Sequence, residues 1–179
     1  MNKKMQIKQD DLLKILDGYH FKRVRLAQLT GLSEATLNVC FNRHPGKTGK
    51  PRSFTEDAIS RINEALPQIA DSLRECMLTF RGDKDHPNVR GFVYDPSLIE
   101  PIKKIGEYLN LNDVMFELFG WKKKKKEAIL GKSSKASGNI TEDHVKAINE
   151  HLLKVSGVLS GLELVPDDVS SDSSTSSES

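Results

Sequence analysis

With 179 residues, 37% of them hydrophobic and only 6% aromatic, the chain suits one or two small helical cores rather than one large one. No run of about 18 apolar residues occurs, which excludes a membrane-spanning helix, and the basic start MNKKMQIKQDD leads into no apolar stretch, so no secretory signal is expected. Without either, a cytoplasmic, nucleoid-associated protein is expected; the net charge is only +2, yet residues 22–52 and 121–139 each hold seven Lys/Arg against one acid, a local excess that predicts a polyanionic partner.

Taken in chain order, Leu12, Ile15, Leu16 and Tyr19 follow the helical i, i+3, i+4, i+7 rule and predict an amphipathic helix over 9–18 that Gly18 ends. In Arg23–Asn42 (RVRLAQLTGLSEATLNVCFN), Leu26 and Leu29 give a short helix an apolar face, with Ala27 small enough for close approach of a neighbour. Gly31 breaks that helix at a position suited to positive φ, Leu32 turns into the corner, and Ser33 is placed to cap a second helix from Glu34 to about Arg43. On it Leu37, Cys40 and Phe41 point inward, and Glu34, Ala35, Asn38, Asn42 and Arg43 outward.

The order Leu26-Ala27, Gly31, Leu32-Ser33, Leu37 and Cys40 resembles the helix-turn-helix of phage repressor and Cro type DNA-binding domains, directly over about twenty residues and as a domain over roughly 8–75. The resemblance implies that the helix from Glu34 enters the major groove, with Glu34, Ala35, Asn38 and Val39 reading bases and Ser33 or Thr36 touching phosphate. Asparagine pairing with adenine and glutamate accepting from cytosine make that surface chemically plausible. A helical bundle that merely contains a tight corner would carry the same apolar spacing.

The next segment, RHPGKTGKPRSF (43–54), reads as a loop or short wing whose Arg43, Lys47, Lys50 and Arg52 are placed to follow a sugar-phosphate backbone. Thr55-Glu56-Asp57 predicts a helix start, continuing through Ile59, Ile62, Ala65 and Leu66 to Pro67, where a further helix carrying Ile69, Leu73, Cys76 and Met77 is expected to open. Residues 80–94 read as a linker with a possible short hairpin, and Asp95-Pro96 as another helix start, followed by a buried stripe of Leu98, Ile99, Ile102, Ile105 and Leu109.

The chain repeats itself: TEDHVKAINEHL from Thr141 matches TEDAISRINEAL from Thr55 at seven of twelve positions. Working backwards, Gly120-Trp121 stands for Gly31-Leu32, and Met115 and Leu118 for Leu26 and Leu29. Phe116 replaces Ala27, Lys122 replaces the capping Ser33, and Lys126 takes the inward position of Leu37. Lys122, Lys123, Lys124, Lys125 and Lys126, with Lys132 beyond, suit phosphate better than base edges.

These readings predict an all-α protein of two tandem helix-turn-helix modules, at 8–79 and 95–164, joined by the 80–94 linker and followed by a disordered acidic Ser-rich tail over 165–179. The expected function is binding of double-stranded DNA as a phage or mobile-element type transcriptional regulator, by a monomer with tandem modules or by a homodimer. A sequence-independent, virion-associated nucleic-acid-binding protein and a protein–protein adaptor are the alternatives. Cys40 and Cys76 read as buried thiols, the five histidines form no metal-ligand pattern, and no nucleophile–base pair or phosphate-cradling loop is present; no metal, cofactor or enzymatic activity is expected.

Overall fold

The computed structural model describes residues 3–43, 49, 52–80, 98–122 and 140–167. The protein is all-α: among the described residues are β1 (Met5–Ile7), α1 (Gln9–Gly18), α2 (Arg23–Thr30), α3 (Glu34–Phe41), α4 (Glu56–Glu75), α5 (Ile99–Tyr108), α6 (Leu111–Phe119), α7 (Glu142–Ser160) and β2 (Leu162–Leu164). None of these helices is long and apolar enough to cross a membrane. The proposed linker and hairpin, the Asp95-Pro96 start and the tail beyond Asp167 lie outside the described residues.

The chain divides into two compact units, one of residues 1–18, 23–68 and 160–179, the other of 19–22 and 69–159. In the first, α1 buries Leu12 and Leu16, α2 buries Leu26 and Ala27, and α3 buries Leu37, Cys40 and Phe41, closing on Phe54, Ile59, Ile62 and Leu66 of the α4 segment. A parallel pair that the sequence reading lacked, β1 with β2 in the register Met5↔Leu162 to Ile7↔Leu164, completes this unit. Val165 continues it by donating its N–H to the Ile7 carbonyl at 2.9 Å, so the start of the expected disordered tail is held, at least to Asp167.

The second unit takes α5, α6, α7 and the C-terminal part of α4, with Ile102, Ile105, Leu109, Val114, Met115, Ile148, Leu152, Val155 and Leu159 in its core. Phe21 bridges Leu109 in antiparallel fashion, and Leu111 packs closely over Gly106, where a Cβ would come within 2.8 Å of Leu111 Cδ1 and the leucine would have to shift.

Two expectations are corrected. Pro67 opens no new helix: α4 runs unbroken from Glu56 to Glu75. Interior proline costs a helix about 3 kcal/mol, but Leu66, Ile69, Ala70 and Leu73 around it are fully buried, and their burial outweighs one absent hydrogen bond. Met77 is 38% exposed rather than inward, because the chain leaves the helix at Glu75 and turns Leu78 into the core instead.

The two helices that begin at Thr55 and Thr141 share more than their first turns. Ala58 N–H bonds to Thr55 Oγ1 and His144 N–H to Thr141 Oγ1, both at 3.2 Å, the same side-chain cap in each. At the Thr55-to-Thr141 spacing, Asn63 matches Asn149 and Leu78 matches Leu164, and the partners are exchanged. Asn63 grips the backbone of Leu164, donating at 2.9 Å and accepting at 2.7 Å, while Asn149 grips Leu78 at 2.8 and 2.7 Å. Each unit thus holds parts of both copies.

Candidate nucleic-acid interface

The corner between α2 and α3 forms for local reasons. Thr30 turns its hydroxyl back onto the Leu26 carbonyl at 2.7 Å, and Gly31 takes φ +75°, the left-handed conformation that ends a helix without Cβ strain. Gly31 is also closely covered: a Cβ there would meet Arg61 Nη1 at 3.2 Å. Arg61 itself is held by Asp57 at 2.9 Å. Ser33 then caps α3 with extended φ/ψ, its Oγ accepting the Thr36 N–H at 3.0 Å and lying 2.8 Å from Thr36 Oγ1.

From that cap the outward face of α3 is open. Ser33, Glu34, Ala35, Thr36 and Asn42 are exposed, and Asn38 and Val39 are half-buried. Leu37, at 0% exposure, and the Phe41 ring, packed edge-on to Phe54 with centroids 5.2 Å apart, fix the opposite face. Arg23, from the first turn of α2, reaches this surface: its Nη1 donates to Asn38 Oδ1 at 2.8 Å and its guanidinium lies 5.6 Å from the Phe41 centroid.

The far end of α3 is held by a residue that sequence reasoning missed. Gln9 is 3% exposed; its Nε2 donates to the carbonyls of Cys40 at 2.7 Å and Arg52 at 3.3 Å, and its Oε1 accepts the Phe54 N–H at 3.0 Å. One buried amide therefore fastens both the end of α3 and the return of the basic loop. A lone glutamine at the head of an amphipathic helix carries no sequence signal for that role.

Of the loop cations, Arg52 is exposed, and Lys47 and Lys50 lie outside the described residues. Arg43 adopts φ +55° and is bound: Asp10 at 3.0 and 3.1 Å, Ser53 at 3.1 Å, and Asp167 all meet its guanidinium. The carboxylates, Asp167 foremost, raise the pKa of the guanidinium, and Arg43 in turn holds Asp167 below the usual carboxylate range. In the second copy Lys122 is exposed, while Lys123, Lys124, Lys125, Lys126 and Lys132 lie outside the described residues.

Cys40 and Cys76 are free and buried, and burial pushes both thiols up, away from the reactive thiolate. Among the described residues no group of three or more His, Cys, Asp or Glu is placed to hold a metal ion. Comparison with family models, with curated proteins and with solved structures finds no match to this chain.

Proposed function

We propose that the protein binds double-stranded DNA, with α3 laid in the major groove and the lysine run from Lys122 clamping the backbone, as a transcriptional regulator of phage or mobile-element type. The observation that carries this reading is the open face of α3: Glu34, Ala35 and Thr36 exposed in its first turn, a serine cap anchoring that turn, and Arg23 beside Asn38. A helix N-terminus with bare short side chains suits entry into a groove about 12 Å wide, where base edges are distinguishable.

The tandem arrangement gives each module the effective concentration of the other, so neither needs high affinity alone. Lysines act as point charges toward phosphate, and the second copy therefore adds affinity with little sequence information. Such a protein would work in the cytoplasm, at the nucleoid. Selection of bound sites from random duplexes at two salt concentrations tests this. One enriched motif with unequal halves is the expected result, and equal recovery of all sequences would favour a coating role.

A further inference from the structure

Resting on the DNA-binding reading, we infer that Arg23 fixes Asn38 as a hydrogen-bond donor toward the duplex, so that the base read by Asn38 is guanine. An asparagine free to turn pairs naturally with adenine, because adenine offers one acceptor, N7, and one donor, the N6 amine, and the amide supplies one of each. Asn38 is not free to turn. Its Oδ1 accepts from Arg23 Nη1 at 2.8 Å, and the side chain is half-buried.

The guanidinium is itself set in place. Its centre lies 5.6 Å from the Phe41 ring centroid, and Nη2 lies 3.7 Å from Asp17 Oδ2 on α1. With Oδ1 already accepting from a cationic donor, its second lone pair is a poor acceptor for an adenine N6 amine, and the group best offered to the groove is the Nδ2 amine. Two N–H donors match guanine, which presents two acceptors, N7 and O6, and mismatch adenine, whose N6 amine would face them. Arg23 is a positioning residue here: it acts on the base through Asn38.

The test is site selection from random duplexes with the full chain and three variants. Wild type should enrich guanine over adenine by about tenfold at one position, and Asn38→Ala should lose that preference. Arg23→Met, which keeps the stem over Phe41 but removes the donor, should move that one position toward adenine; Arg23→Lys, which keeps a donor, should retain guanine. Adenine at the Asn38-dependent position of wild type overturns the inference, and so does guanine persisting in Arg23→Met. If Arg23→Met does not fold, as circular dichroism would reveal, wild type against Asn38→Ala still decides. Recovery of no duplex by wild type refutes the DNA-binding reading itself, and the inference with it.

Discussion

Along α4 and α7 the buried positions recur at one constant spacing: Ile59 with Val145, Ile62 with Ile148, Leu66 with Leu152, Ile69 with Val155, Leu73 with Leu159. Ala70 and Ser156 match as well, and these two equivalent small residues touch, Ser156 Oγ donating to the Ala70 carbonyl at 2.9 Å. The corners that precede the two helices are unlike. After Gly31 comes a serine that caps α3; after Gly120, which takes φ +66°, come Trp121 and Lys122, which offers no capping hydroxyl. Trp121 instead packs against Phe119 and His144, with centroids 4.6 and 4.7 Å away, and Phe116 is 62% exposed where Ala27 is buried. The two core helices share one buried pattern while the corners before them differ in cap, packing and exposure.

That contrast is broken most severely by unequal losses in the shared pattern. Leu66→Ala and Leu152→Ala should each cost about 3 kcal/mol in urea unfolding; a loss at only one of them would mean that the two helices carry unequal loads. Asn63→Ala and Asn149→Ala should follow at about 2 kcal/mol each, since either strands an N–H and a carbonyl of the gripped leucine. The corners should then part company. Ser33→Ala is expected to cost about 1 kcal/mol in thermal melts, and Lys122→Ala less than about 0.5.

Smaller still is a pH effect confined to the second unit. Burial lowers the pKa of His151, which stands edge-on to Tyr19 at 6.1 Å; Glu117 works against that, and His20 and Lys154 work with it. The unfolded chain therefore binds the proton more readily, and stability present above the ordinary histidine pKa falls as pH drops below it. The urea midpoint should decline from pH 7.5 to 5.5, and His151→Gln should flatten the decline. Asp167 behaves likewise at lower pH, its contribution disappearing as pH falls below the ordinary carboxylate range. The smallest effect is electrostatic: Asp167→Asn loosens Arg43 toward phosphate and should steepen the salt dependence of DNA binding by about one contact.

Much of the corner was legible because local chemistry fixes it. Gly18, Gly31, Ser33 and Thr55 each act within a few residues of themselves, and α1 ends at Gly18 as its periodicity predicts. What escaped the sequence is held by distant partners. The three-residue strand β1 pairs with β2 near the other end of the chain, and Gln9 and Arg23 gain their roles only when α3 is brought alongside. The exchange between the copies is equally hidden: identical asparagines in a repeat announce a shared contact, but nothing in the letters says that each takes the other's leucine. Pro67 misled because local propensity was outweighed by burial on both sides of it.

The central claim is that the open face of α3 reads a duplex. Its most direct test compares wild type and Asn38→Ala by fluorescence anisotropy on the selected duplex and on a scrambled one, at a single salt concentration. The account predicts a loss of about 1–3 kcal/mol on the selected duplex and none on the scrambled one. Equal affinity of wild type for both duplexes, unchanged by the substitution, would contradict it.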